Sequence, residues 1–287
     1  MKKKNWISFV LILLCLGVLL GYQALDRIRT DRTAPVITVE EQTLELSARD
    51  PREMLLAGVT ARDKADGDVT ASLVVESVWL VSSDGTAAVT YAAFDSSGNV
   101  AKQTREVRFT DYESPRFTLE YPLLFSLNRS YDVLGAVTAQ DMLDGDITHR
   151  IRATVLDEVP SGYSGTYNVQ FRVTNSLGDT VVLELPVELY TPGLFEGNLT
   201  LTDYLVYVKQ GSRFNAEKYL DTFAVGRESF SLRSGIPGQL KLTVSGKVDT
   251  NTPGIYMVDY RITYNTGREY AEQVYTAYSK LIVVVEG

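Results

Sequence analysis

The sequence predicts an all-β protein in which three tandem antiparallel β-sandwich domains follow one N-terminal transmembrane helix. Three observations carry this prediction: an apolar run near the N-terminus, a sequence unit that occurs three times, and alternation of apolar and polar residues inside that unit. The 287-residue chain is 45% hydrophobic and 22% charged, which excludes a disordered or collagen-like protein. At roughly 100–150 residues per domain, this length accommodates two or three domains.

The first element is an uncharged run from Trp6 to Tyr22 that follows three lysines. About 17 residues is the lower limit for crossing a membrane, and the lysines favour a cytoplasmic N-terminus. The exit from the run, Leu20 to Ala24, lacks the paired small residues of a cleavage site, so we predict an uncleaved signal anchor, with a cleaved signal peptide as the alternative. The predicted segments are a cytoplasmic stub (1–5), the transmembrane anchor (6–22) and a linker (23–32). A single-pass protein of the cell membrane with an extracellular body follows.

The second observation is an internal repeat. Residues 61–70 (ARDKADGDVT) align with residues 139–148 (AQDMLDGDIT), and both segments contain the same Asp-Gly-Asp motif followed by a threonine. Further along each unit, Gly85 to Gly98 matches Gly165 to Gly178, and the same block occurs again from Gly254 to Gly267. The chain therefore contains three copies of one structural unit.

The third observation is a period of two within each copy, which is typical of a strand with one buried face. In the second copy the apolar positions are Tyr167, Val169, Phe171 and Val173, and in the third they are Tyr256, Val258, Tyr260 and Ile262. Each run continues through a glycine-containing turn into a second alternating run, which predicts a hairpin. Short strands and frequent turns in units of this size indicate Ig-like sandwiches in series.

Proline-containing polar segments mark the domain boundaries, because proline forces extended backbone and such segments bury little. They lie around Pro35, Pro115 and Pro192. The predicted domains are Ig-like domain 1 (33–111), Ig-like domain 2 (112–190) and a divergent Ig-like domain 3 (191–287).

The motif AGVTARDKADGDVT at residues 57–70, followed by DSSGNVA at residues 95–101, resembles the bacterial Ig-like repeat of cell-surface and secreted proteins, which also occurs in some pesticidal crystal proteins. The resemblance covers about residues 33–190. The third domain is similar at residues 242–254 but lacks the Asp-Gly-Asp loop. The resemblance implies an Ig-like fold and an extracellular bacterial setting, and it implies no catalysis.

The inventory of reactive residues argues against an enzyme. His149 is the only histidine, the only cysteine is Cys15 in the apolar run, and no serine lies in a nucleophile-elbow context. Phosphate-binding loops, zinc-ligand spacings and nucleic-acid motifs are also absent from the sequence. The acidic body, in a chain of net charge −8, repels nucleic acid. We predict a non-catalytic protein that requires no cofactor and binds no nucleic acid.

The acidic loops of the first two domains are the candidate metal sites. Carboxylate oxygens at this density suit calcium, and the topology of an Ig-like sandwich would bring the second loop near the linker that precedes it. The alternative is that the aspartates stabilise turns by hydrogen bonds to the backbone. The candidate calcium ligands are Asp63, Asp66 and Asp68 in domain 1, and Asp141, Asp144, Asp146 and Asn175 with Asp111 and Glu113 at the joint.

Domain 3 holds nine of the 17 tyrosines, and an exposed aromatic surface suits recognition of a sugar or a protein. Packing of these tyrosines in the domain core is the alternative. The candidate partner-binding residues are Tyr264, Tyr270, Tyr275 and Tyr278.

Together these features predict a membrane-anchored extracellular stalk for adhesion or envelope scaffolding, attached to the membrane through residues 6–22. Its expected partner is an envelope protein or a polysaccharide. The alternative function is a regulatory subunit of a membrane or cell-wall complex that recognises its partner through the distal domain.

Overall fold

The computed structural model describes residues 2–29, 31–159, 162–265 and 273–287. These residues form one N-terminal helix, α1 (Lys2–Arg29), and 21 β-strands in six sheets. The sheets pair into three sandwiches, each with a three-stranded and a four-stranded sheet, so the predicted all-β body of three sandwiches is confirmed. The chain divides into two compact units, one ending at Tyr112 and the other running from Glu113 to Gly287.

The N-terminal helix α1 includes the predicted transmembrane segment. Among the described residues, however, no helix combines the length and the apolar character that crossing a membrane requires. The structure does not support the transmembrane helix predicted for residues 6–22. The localisation predicted from the sequence stays a prediction.

The first sandwich lies in the first unit, and two of its strands meet at the hairpin predicted from the repeat. Its four-stranded sheet has the order β2-β7-β6-β5 and its three-stranded sheet the order β1-β3-β4. On β6, Ala87, Val89 and Tyr91 point into the core, as the period of two predicts. The strands are β1 (Val36–Val39), β2 (Thr43–Leu46), β3 (Val59–Asp63), β4 (Gly67–Asp68), β5 (Val74–Leu80), β6 (Thr86–Phe94) and β7 (Val100–Phe109).

The second sandwich repeats this topology, as its sequence predicts. Its sheets have the orders β12-β13-β14-β9 and β11-β10-β8. In the larger sheet β9 pairs in parallel with β14, as β2 pairs with β7 in the first sandwich, so the prediction of purely antiparallel sandwiches is wrong for this edge strand. The alternating apolar residues of β13 are all buried. The strands are β8 (Arg116–Leu119), β9 (Leu124–Ser126), β10 (Val137–Asp141), β11 (Gly145–Asp146), β12 (Arg152–Val155), β13 (Gly165–Thr174) and β14 (Thr180–Tyr190).

The third sandwich has the same strand order although its sequence lacks the Asp-Gly-Asp loop. Its sheets are β16-β21-β20-β19 and β15-β17-β18, and a long β20–β21 hairpin dominates the larger sheet. The strands are β15 (Asn198–Leu201), β16 (Leu205–Lys209), β17 (Leu220–Val225), β18 (Glu228–Ser231), β19 (Leu240–Ser245), β20 (Gly254–Asn265) and β21 (Val274–Glu286). Short 3₁₀ helices connect strands at Arg52–Leu56, Thr70–Ser72, Leu134–Ala136, Thr148–Arg150 and Ala216–Tyr219.

Strand β21 is buried on both faces, which joins the second and third sandwiches into one unit. Leu281 and Val283 on one face pack in the core of the third sandwich. Ile282 on the other face, together with Leu205 of β16, packs in the core of the second sandwich. The continuous apolar run LIVVV in β21 fits this double burial, since a strand covered on both faces has no polar face to alternate. The predicted domains 112–190 and 191–287 thus lie in one unit and share apolar contacts.

Candidate functional site

The acidic loop of the first sandwich is a hydrogen-bonded turn. Asp63 Oδ1 accepts hydrogen bonds from the backbone N–H groups of Ala65 and Asp66, at 2.7 and 3.0 Å. Asp66 accepts from both the backbone and the hydroxyl of Ser96, and Asp68 Oδ1 accepts from the backbone N–H of Thr70. Gly67 supplies the positive φ, +77°, that closes the turn. These contacts fit the hypothesis that the loop aspartates stabilise turns.

The loop of the second sandwich has the same contacts. Asp141 Oδ1 accepts from two backbone N–H groups of its own turn, and Asp146 Oδ1 accepts from the backbone N–H of Thr148. Asp144 accepts from the backbone and hydroxyl of Ser176 and pairs with Arg150 at 2.7 Å. Two loops that differ in four of their ten residues thus form the same hydrogen bonds within the turn and to the serine, because the aspartates, the glycine and the threonine are shared. The pair with Arg150 occurs only in the second loop, since the first has Ser72 at the aligned position.

The linker residues predicted to complete a calcium site have other contacts. Both carboxylate oxygens of Asp111 accept hydrogen bonds within the first unit, from the Ser47 hydroxyl at 2.8 Å and from the Ala48 backbone at 2.7 Å. These bonds, with that from Ala48 the largest cause, lower the pKa of Asp111. The Glu113 carboxylate lies 4.0 Å from Arg116 within the second unit. Calcium at the joint stays a prediction.

A different group of carboxylates could hold a metal ion in the first sandwich. Asp31, Asp63 and Asp95 each place one oxygen within 4.8 Å of the other two, and we call this group the acidic triad. Only Asp63 was among the residues predicted from the sequence. The alignment of the repeats carries the missing signal, since Asp95 stands where the second copy has Asn175.

The predicted tyrosines that the structure describes have different environments. Tyr264 donates a hydrogen bond to Glu228 and packs against Phe223 of the third core, and Tyr275 packs against Phe195. These two rings serve packing, which was the alternative interpretation. Tyr270 lies outside the described residues. Tyr278 is 46% exposed, and its ring centroid lies 6.0 Å from that of Tyr190.

Tyr278 lies in a cleft of the second unit, where the second sandwich meets the third. The cleft has two neighbouring cavities of about 220 and 310 Å³ that share Leu124, Tyr190 and Tyr278, and we call it the seam cleft. The first cavity is also lined by Glu188, Asp259, Ser279 and Lys280. The second is also lined by Tyr121, Glu196, Asn198, Thr200, Tyr204 and Thr276.

A buried lysine pairs with two carboxylates in the first cavity of the seam cleft. The Lys280 side chain is only 6% exposed, and its ammonium pairs with Glu188 of β14 and, at 3.3 Å, with Asp259 of β20. One ammonium between two carboxylates leaves a net negative charge in the first cavity. In the second cavity, Glu196 has a buried Oε1 without a hydrogen-bond partner among the described residues. The side chains of Glu188 and Asp259 are 35% and 52% exposed, so these two carboxylates are the acceptors that the cleft offers to a ligand.

Burial, followed by the nearby Glu196 carboxylate, raises the pKa of the Tyr190 phenol. Tyr190 therefore keeps its hydroxyl proton at neutral pH and offers a hydrogen-bond donor next to the Glu196 acceptor. Among the residues that line the two cavities there is no histidine or cysteine. The only histidine, His149, is exposed on the 3₁₀ helix after β11. The described cleft has the groups of a binding site and lacks an activated nucleophile.

No family model and no curated protein matches the chain. Similar solved structures include the second CBM51 domain with GlcNAc and the INT domains of Clostridium perfringens ZmpB, at 15% identity and a TM-score of 0.23, with 88% of this chain and 41% of that chain covered. Drosophila N-cadherin EC1-4 matches at 13% identity and a TM-score of 0.21, covering 90% and 67% of the two chains. Mouse cadherin-23 EC22-24 matches at 12% identity and a TM-score of 0.21, and the match covers 88% of this chain and 99% of that chain.

The chain spans less than half of the length of the Clostridium perfringens chain it matches. Similarities at these TM-scores assign neither a family nor a function. The resemblance to the bacterial Ig-like repeat stays a prediction from the sequence.

Proposed function

We propose that the chain is a non-catalytic extracellular stalk protein for adhesion or envelope scaffolding, and that it recognises a polysaccharide of the envelope at the seam cleft. The observation that supports this most directly is the composition of the cleft: five tyrosine rings, two of which line both cavities, with three carboxylates and one buried ammonium around two small cavities. Attachment to the membrane through residues 6–22 belongs to the same proposal and rests on the sequence alone.

The walls of the seam cleft are held in place by contacts between the two sandwiches. The ion pair of Lys280 with Glu188 crosses the seam, and the backbone N–H of Phe117 donates to the Tyr207 hydroxyl at 3.2 Å. Arg116 lies over the Tyr207 ring, 4.9 Å from its centroid, and pairs with Glu286 at 3.3 Å. A cleft held in this way does not have to order itself when a ligand binds, which favours affinity.

The chemistry of the cleft suits a polyhydroxylated ligand. The C–H faces of a sugar ring pack on aromatic rings, and sugar hydroxyls donate hydrogen bonds to carboxylates. Tyr190 and Tyr278 supply the rings, while Glu188 and Asp259 supply acceptors. Cavities of about 220 and 310 Å³ are at or below the lower end of ordinary ligand sites, which fits single sugar rings rather than a bulky ligand.

Binding of the full chain to an array of bacterial envelope polysaccharides tests this proposal. We expect Tyr278→Ala to weaken binding at least about tenfold, since loss of a stacked ring costs on the order of 1–3 kcal/mol in comparable recognition sites. Tyr163→Ala is the matched control, because Tyr163 is 78% exposed and does not line the cleft.

Equal loss of binding in the two variants, or no binding by the wild-type chain, contradicts the proposal. Binding to envelope proteins instead, with the same dependence on Tyr278, supports the alternative function as a regulatory subunit.

A further inference from the structure

The acidic triad brings together three segments that are far apart in the sequence. Asp31 lies between α1 and β1, Asp63 is the last residue of β3, and Asp95 directly follows β6. Asp63 and Asp95 are 7% and 8% exposed, so two of the three carboxylates are almost completely buried. Like charges at this separation in a buried place repel each other unless a proton or a cation compensates them.

The hydrogen bonds of the triad leave two carboxylate oxygens unsatisfied. Asp95 accepts from the backbone and the side-chain amide of Asn99, at 2.7 and 2.6 Å. One oxygen of Asp63 accepts from its turn, and one oxygen of Asp31 accepts from Thr33. Asp31 Oδ2 and Asp63 Oδ2 are buried without a hydrogen-bond partner among the described residues. No ion pair of the described residues includes a member of the triad.

In the second sandwich, the carboxylate at the position equivalent to Asp63 has a hydrogen-bond donor and does not need a cation. Asp141 aligns with Asp63, and Asn175 aligns with Asp95. The Asn175 side-chain amide donates to Asp141 Oδ2 at 3.0 Å, and both residues are buried. The oxygen of Asp141 that corresponds to the unsatisfied oxygen of Asp63 therefore has a donor. In the first sandwich a carboxylate stands where this amide would be.

We propose that the acidic triad binds one calcium ion. Carboxylate oxygens are the hard ligands that calcium takes, and at Ca–O distances of about 2.3–2.6 Å two ligands of one ion lie no more than about 5 Å apart. The 4.8 Å limit on the triad oxygens meets this condition. Zinc is disfavoured because the group contains no histidine or cysteine. One carboxylate oxygen from each of the three residues would coordinate the ion, which would hold the segment around Asp31 against the sandwich.

Calcium binding by the full chain, freed of metal with a chelator, tests this proposal by isothermal titration calorimetry and by equilibrium dialysis. We expect one ion per chain with a dissociation constant on the order of 0.1–1 mM, the range of extracellular calcium modules. Asp95→Asn introduces the residue of the second copy and should weaken binding at least about tenfold. Asp84→Asn is the matched control, because Asp84 is an exposed carboxylate of the same sandwich outside both the triad and the acidic loop, and it should leave binding unchanged within about twofold.

A wild-type chain that takes up no calcium at about 10 mM overturns the proposal, as does an Asp95→Asn chain that binds like the wild type. If Asp95→Asn fails to fold by circular dichroism, Asp31→Asn takes its place with the same expected loss. Magnesium titrated in parallel should bind at least about tenfold more weakly, since it demands shorter and more regular ligand distances. These outcomes are independent of saccharide binding at the seam cleft, which lies in the other compact unit.

Discussion

The two compact units differ in how they compensate buried charge. In the second unit, the Asn175 amide satisfies the buried Asp141, and the buried Lys280 has carboxylates of both sandwiches as partners. In the first unit, the acidic triad has two buried oxygens for which the described residues supply no donor. One exchange, Asp95 in place of Asn175, thus separates a loop whose buried carboxylate has a donor from the loop for which we propose a bound cation.

The largest effect should follow when the second copy is given the carboxylate of the first. Asn175→Asp removes the donor to Asp141 and places a second buried carboxylate beside it, which should cost about 3 kcal/mol of stability at pH 7. Urea denaturation at pH 7 checks this, with the exposed Asn128→Asp as control; equal destabilisation by both variants would contradict the proposed difference between the two loops.

A smaller effect is expected at the seam. Lys280→Met leaves Glu188 and Asp259 without their shared cation, and should destabilise the second unit by about 2 kcal/mol, less than for a fully buried pair because both carboxylates are partly exposed. The exposed pair of Lys102 with Glu76 in the first unit is the control, and Lys102→Met should cost less than about 0.5 kcal/mol. Hydrogen exchange of the full chain locates each effect.

The first sandwich should respond in the opposite direction when it receives the amide of the second. Without calcium, Asp95→Asn should stabilise it by about 1 kcal/mol, because repulsion within the acidic triad falls. With about 10 mM calcium the wild-type chain should gain roughly 1.4–2.7 kcal/mol by mass action, and the variant should gain nothing. Thermal unfolding with calcium and with chelator, at matched ionic strength, measures both; a variant that is less stable than the wild type in chelator contradicts the repulsion.

The smallest effects should be the same in both sandwiches. The hydroxyl and backbone of Thr70 lower the pKa of Asp68, and those of Thr148 lower the pKa of Asp146. A carboxylate with a lowered folded pKa stabilises the protein above its unfolded pKa of about 3.8, and this contribution is lost as the pH falls through the lower folded value. In Asp68→Asn and Asp146→Asn, the melting temperature should therefore fall less steeply than in the wild type as the pH is lowered from about 4 to about 2. A less steep fall in only one variant would show that the two turns differ.

The sequence alone predicts the three sandwiches, because the patterns that specify their strands and turns lie within short segments of the chain. Tyr167, Val169 and Phe171 follow a period of two that any buried strand face imposes, and the repeated Asp-Gly-Asp motif marks equivalent turns. The joining of the second and third sandwiches was missed, although the unbroken run LIVVV of β21 indicates burial on two faces. The membrane span was predicted from the apolar composition of residues 6–22 and is not supported among the described residues.

The candidate sites were harder to predict because they depend on residues distant in the chain. The acidic triad combines Asp31, Asp63 and Asp95 from three segments, and spacing within a single loop reveals only one of them. Of the predicted tyrosines, Tyr278 lines a cleft, but its neighbour Tyr190 ends a strand of the preceding sandwich and could not be associated with it from composition. Tyr264 has the same alternation as its neighbours and packs on the core, so composition alone could not separate the two roles.

The double burial of β21 has a consequence for the order in which the chain folds during synthesis. The first unit ends at Tyr112, so all of its strands are synthesised before those of the second unit. The core of the second sandwich instead includes Leu205 and Ile282, which are translated after its last strand, β14, ends at Tyr190. At about 5–20 residues per second, the nascent second sandwich therefore waits several seconds with part of its core exposed, and this interval is where we expect chaperones to act.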